Sequence, residues 1–169
     1  MKIFQLVALA LIVSLVGCIH SAPPPSTGNP DQDALNQNRA LWKEAHLSTY
    51  TYIYQVMCFC PPEEDILVKV LYDNVVDASY SPSNNPVMPE RLDDLMTVEE
   101  LFQVIQKAID DEVAQLEVTY NAKLGYPERI YIDIDERMAD EEVTHLVSKL
   151  GKDSGALSSS RLGGPLKTH

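Results

Sequence analysis

The sequence has no apolar run long enough to cross a bilayer as a helix, which needs about 20 residues. Its longest, Ile3 to Val16, is already interrupted by Gln5 and Ser14. Cations are scarce: 13 Lys and Arg stand against 25 Asp and Glu, for a net charge of −12. This excludes the clustered Lys and Arg that nucleic-acid binding requires and gives no electrostatic hold on an anionic membrane. With three cysteines, at most one intrachain disulfide can form. Neither Gly-x-Ser-x-Gly nor His-Glu-x-x-His occurs, and Gly151-Lys152 lacks the upstream glycine of a phosphate loop. No stretch of the chain repeats another. Without a motif that names a reaction, the expectation is a protein that is not an enzyme and carries no cofactor.

What is present begins at the N-terminus. Lys2, the apolar run to Val16 and the small-residue close Leu15-Val16-Gly17-Cys18 read as a secretory signal. The last four residues resemble the lipobox of bacterial lipoproteins. In such proteins the Cys18 thiol is diacylated (palmitate is one such chain), the chain is cut before it, and the new amine is acylated. Cleavage leaves 152 of the 169 residues, and loss of Lys2 moves the net charge to −13. That length suffices for one domain with a sizeable core. Attachment then rests on the lipid, which holds stably with two or more acyl chains.

From Ile19 to Pro30, four prolines with Ser, Thr, Gly and Asn cannot bury a core and predict a tether. The domain organisation reads as signal peptide 1–17, lipidated tether 18–32, a single domain 33–150 and a flexible tail 151–169. Within the domain a helix from Asp33 to His46 turns Leu35, Leu41, Trp42 and Ala45 to one face, with Asp31 and Asp33 as candidate caps. The aromatic, β-branched stretch from Ser48 to Pro61 predicts a central strand. Alternation puts Tyr50, Tyr52, Tyr54, Val56, Cys58 and Cys60 on one face, and Ile53, Met57 and Phe59 on the other. The three tyrosines read as core ahead of a binding groove.

Ile66–Tyr72 and Val75–Tyr80 predict a hairpin around Asp73-Asn74. Residues 81–96 read as loop, and Thr97-Val98-Glu99-Glu100 as a capping box opening a helix to Glu112. Val98, Leu101, Phe102, Ile105, Ala108 and Ile109 form its apolar stripe. Strands Leu116–Tyr120 and Arg129–Ile134 flank the turn Gly125-Tyr126-Pro127, and Glu142–Leu150 reads as a last strand. The class is α+β: an antiparallel sheet of five to six strands with two helices packed against it.

Three phrases carry a family resemblance: Tyr50-Thr51-Tyr52 through Cys58-Phe59-Cys60-Pro61, the helix start Val98 to Phe102, and Tyr120 to Asp133 with Gly125-Tyr126-Pro127 inside. Over Leu41 to Leu150 the chain resembles the bacterial lipoprotein family catalogued as domain of unknown function 6174. It departs from the pattern at Asp73-Asn74, where an Asp-Gly turn is expected. The resemblance implies the location and the fold, and no activity.

If Cys18 is lipidated, Cys58 and Cys60 remain, an even number in an oxidising compartment. On a straight strand their Cα atoms lie about 6.6 Å apart, near the upper limit of about 6.8 Å for a disulfide. A three-residue loop gives only about 1.6 kcal/mol of closure entropy, so such a bridge is a weak staple. A structural disulfide is the leading reading, ahead of a redox-active pair, which lacks a neighbouring cation in sequence. A soft-metal site for copper(I) or zinc comes third, because no third ligand is evident. A structural clasp is expected to be buried beside the tyrosine face, and a working thiol pair exposed.

The acids Asp133, Asp135, Glu136, Asp140, Glu141 and Glu142 start a calcium-loop pattern that Arg137 and Met138 break. They read as a solvated loop, with Asp133 and Asp135 weak metal candidates. His20, His46, His145 and His169 show no metal spacing, and His145 reads as a surface or capping residue. The expectation is therefore a lipid-anchored envelope protein that works by binding or assembly. It sits in the cell membrane or outer membrane, facing the periplasm or exterior, with an unknown envelope partner and no nucleic acid. Ile19, not Asp, after Cys18 favours the outer membrane where there are two. The rival reading is a thiol-redox or soft-metal protein using Cys58 and Cys60.

Overall fold

The computed structural model describes residues 24–152. The segment read as a signal peptide, Cys18, the first part of the expected tether and residues 153–169 lie outside them. The elements run α1 (Pro30–Glu44), β1 (Thr49–Met57), β2 (Asp65–Leu71), β3 (Asn74–Ser81), a short 3-10 helix (Pro89–Asp94), α2 (Val98–Asp110), β4 (Gln115–Tyr120), β5 (Pro127–Asp133) and β6 (Val143–Lys152). They form one six-stranded sheet in the order β3-β2-β1-β6-β5-β4, every adjacent pair antiparallel. The α+β expectation holds at its six-stranded limit, and β1 is central as its two-faced composition implies. The fold is the expected one.

Both helices lie on the face that carries Tyr50, Tyr52 and Tyr54. These tyrosines are buried with Val68, Val70 and Ile130 under Leu101, Phe102 and Ile105 of α2. Trp42 of α1 meets Tyr50 edge-on, ring centroids 5.2 Å apart. The Val98 amide donates to the Tyr50 hydroxyl at 3.0 Å, and the Tyr52 hydroxyl donates to the Met96 carbonyl. The tyrosine ladder thus holds the start of α2 by its polar ends while its rings fill the core. At that start the capping box forms as predicted: Thr97 accepts from the Glu100 amide, and Glu100 accepts from the Thr97 amide.

Several boundaries differ from the sequence reading. α1 begins at Pro30 with Asn29 as its cap, not at Asp33 with Asp31 or Asp33 capping. Asp33 instead accepts from Ser26 and Thr27, so the last part of the tether is folded onto the helix. Proline at the first helical position costs no hydrogen bond, which is why composition misled there. The β2–β3 turn is Tyr72-Asp73, both left-handed at φ 50° and 59°. That is the two-residue geometry whose twist suits a hairpin, one residue earlier than Asp73-Asn74. β6 continues through Gly151 and Lys152, which pair with Thr51 and Tyr50. They belong to the sheet and not to a tail, because β1 offers its edge along that length.

The two helices run antiparallel, since Gln32 bonds Gln106 while Arg39 pairs with Glu99. The α1 N-terminus, the α2 C-terminus, the β5–β6 loop and the end of β1 therefore share one pole of the molecule. β1 finishes at this pole, with Met57 paired to Thr144.

Candidate functional site

Beyond Met57 the chain leaves the ladder, and Cys58, Phe59 and Cys60 form a bend closed between the two cysteines. The bend draws the Cα atoms to 5.2 Å and places the sulfurs at disulfide-bonding distance, closer than the straight-strand value. Both cysteines are exposed, and Phe59 between them is 80 % exposed. A structural clasp was expected buried beside the tyrosine face. It lies outside that face because the strand stops one residue too early to carry it in.

Beneath the bend is a crevice of about 270 Å³. β1 contributes Tyr54 and Val56 to its floor, β2 contributes Ile66, and β6 contributes His145. Leu95 and Met96, from the segment leading into α2, form the opposite wall. Glu63, Glu64, Asp94 and Arg91 stand around it, three acids to one cation, with Arg91 paired to Glu63. Clefts lined by one sign of charge concentrate ligands of the other, so the rim favours cations.

His145 is the residue whose expected position fails most clearly. It is 8 % exposed, and its Nδ1 lies 2.8 Å from the Tyr54 hydroxyl. The cause is register: His145 faces Val56 across β1–β6 and Ile130 across β5–β6, so its side of β6 is the core side. Burial pushes the imidazole below its ordinary value, and the folded state therefore favours the neutral ring. That contribution to stability is complete above the unfolded value of about 6.5 and fades as pH falls through the lower folded value. The thermal midpoint is expected to drop as pH falls below about 6.5, and His145→Gln to remove that step. An identical decline in the variant would assign the acid limb to other groups.

The acidic stretch divides in two. Asp133 is a strand residue, 7 % exposed, with Oδ1 buried and without a hydrogen-bond partner. It is not part of a solvated loop, because β5 runs on to include it. Asp135 accepts from the Arg137 side chain and backbone, and those bonds hold its carboxyl below the ordinary range. An exposed intraloop pair of this kind adds little stability. Among the described residues no three His, Cys, Asp or Glu stand close enough together to hold a metal ion. His46 lines a separate, wider hollow of about 520 Å³ with Lys43 and Asp73.

Two crevice residues, Met96 and His145, were not read from sequence as neighbours of the cysteines. Nothing local signals them, since 38 positions separate Cys58 from Met96 and 87 separate it from His145. The alternation that placed Tyr54 and Val56 on one face did mark the β1 side of the crevice.

No curated protein and no solved structure matches the chain. A family model does match, over residues 34–152. The matched stretch holds all six strands, the bend and the crevice, and it spans well over half of the 169 residues. By that match the chain belongs to the family of unknown function DUF6174.

Proposed function

We propose that the protein is a lipid-anchored cell-envelope binding module, held in the cell membrane or outer membrane by Cys18 and acting without catalysis. The observation that supports the binding role is the Cys58–Cys60 bend, which leaves Phe59 80 % exposed between two cysteines that line the crevice. Large exposed aromatics beside pockets are the usual anchors of protein interfaces. The lipobox-like segment supports the anchor. Ser26 is fixed on Asp33 at the start of α1, and eight residue steps separate it from Cys18. At roughly 3.5 Å per residue, a lipid on Cys18 would keep the start of α1 within about 30 Å of the membrane.

The test has two parts. Intact mass of the membrane-extracted protein is expected to include acyl chains on a chain starting at Cys18, and Cys18→Ser to release it from the membrane. A photo-crosslinking residue at position 59 is expected to give a discrete adduct in intact cells. The same group at Tyr72, exposed at the opposite pole, is expected to give none. Equal labelling at both positions, or none at either, overturns the binding site; an unacylated mass overturns the anchor.

A further inference from the structure

We propose that the Cys58–Cys60 disulfide is a thiol-exchange site whose partner is the dithiol of another protein. This deepens the binding reading by naming the partner's chemistry. It rests on that reading for docking at Phe59, and not on the lipid anchor. The first support is access. Val56 to Glu64 is an unbroken run of exposed residues, and both cysteines lie inside it. A thiolate must reach a disulfide sulfur directly, so exposure governs the rate of exchange. A clasp buried beside the tyrosine face would have to unfold first.

The second support is what opening the bridge leaves intact. β1 pairing ends at Met57 opposite Thr144, and β2 pairing begins at Asp65 opposite Ser81. Cys58 to Glu64 therefore take no part in these ladders. Breaking the bridge undoes no strand pairing, and a loop this short contributes little closure entropy to stability. The sheet stays whole in both redox states. Exposed disulfides are the labile, regulatory or catalytic ones, whereas structural ones resist reduction.

Charge and the exposed ring then select the partner. From Ile53 to Asp65 the only charged side chains are Glu63, Glu64 and Asp65, and the cation Arg91 is already paired with Glu63. Glutathione is itself an anion at neutral pH and is disfavoured beside charges of its own sign. Phe59, exposed between the two cysteines, offers apolar contact to a folded partner. These features favour a protein dithiol over small acidic thiols.

The reaction trades one disulfide for another. A partner thiolate attacks one sulfur of the pair, the S–S bond breaks, and the other cysteine leaves as a thiolate that takes up a proton. The partner's second thiol loses its proton, attacks the mixed disulfide and expels the first cysteine, which is protonated in turn. Cys58 and Cys60 end as two thiols and the partner dithiol as a disulfide. Two electrons and two protons have passed from partner to protein.

The test uses the full chain carrying Cys18→Ser, which removes the third thiol, with alkylation and intact mass reporting the opened pair. Opening by dithiothreitol is expected to rise in proportion to reagent concentration without a plateau, with the circular dichroism unchanged. Glutathione is expected to react about threefold or more slower than its monoethyl ester, which lacks the net charge, and added salt to close the gap. Phe59→Ala is expected to lower the ratio of reduced-thioredoxin rate to dithiothreitol rate by about fivefold. A rate that plateaus shows that unfolding must come first and overturns the exchange, leaving cross-linking at position 59 to judge the binding reading alone. Equal rates for glutathione and its ester overturn the charge selection, and an unchanged ratio in Phe59→Ala overturns the protein dithiol as partner.

Discussion

Raising the pH above 10 is expected to unfold this protein cooperatively. Tyr50, Tyr52 and Tyr54 are buried in one ladder along β1, and desolvation is the largest cause raising all three phenols well above their ordinary value. In the unfolded chain each ionises near pH 10. The native state therefore keeps protons that the unfolded state releases. Stability is full below about pH 10 and falls as pH rises toward the higher folded values. At pH 11 each tyrosine removes about 1.4 kcal/mol, so the three together remove roughly 4 kcal/mol. That is a large share of the 5–15 kcal/mol, roughly, that stabilises a typical domain.

Circular dichroism and phenolate absorbance, followed together against pH, check this. Most of the phenolate signal is expected to appear in the same narrow step as the loss of structure. Gradual ionisation of the ladder with the fold intact would show that these hydroxyls reach water more readily than their burial implies.

Gly125→Ala is expected to be the most damaging single-methyl change in the domain. Gly125 sits at φ +76°, and a Cβ there would lie 2.2 Å from the Asn38 carbonyl oxygen and 3.0 Å from Leu41 Cβ. The left-handed backbone costs a side chain about 1 kcal/mol or more. The clash is against α1 backbone, which cannot rotate away, and overpacking of this kind adds about 1–3 kcal/mol. A loss of about 3 kcal/mol corresponds to a thermal midpoint lower by roughly 10 °C for a domain of this size. Gly28→Ala is the control: its φ is +86° but nothing lies within 4 Å, so only the conformational cost applies. Similar midpoints for the two variants would mean that α1 moves aside freely.

The same geometry accounts for Gly-Tyr-Pro in physical terms. Gly125 admits α1, Tyr126 packs edge-on against Trp42 at 6.3 Å, and Pro127 opens β5. The sequence marked the turn, since glycine and proline punctuate chains locally. It could not show that the glycine serves Asn38 and Leu41 of a helix 84 to 87 positions upstream. The tyrosine ladder was legible as core because alternation is a local property of strands. The exposed cysteines were not, because the residue at which β1 leaves the ladder depends on where β6 stops pairing with it.

The sequence by itself determined the α+β class, the central place of β1, the capping box at Thr97 and the shared face of Tyr50, Tyr52 and Tyr54. Each follows from propensity, period or spacing within a single element. Only the tertiary structure decided that His145 is buried, that Asp133 belongs to the sheet, and that Met96 and His145 meet the cysteines at one crevice. Those facts come from the β1–β6 and β5–β6 registers and from the wall built ahead of α2, and these join residues far apart in the chain. Local sequence fixes which side of an element is apolar, but pairing across the sheet decides which side chains share a space.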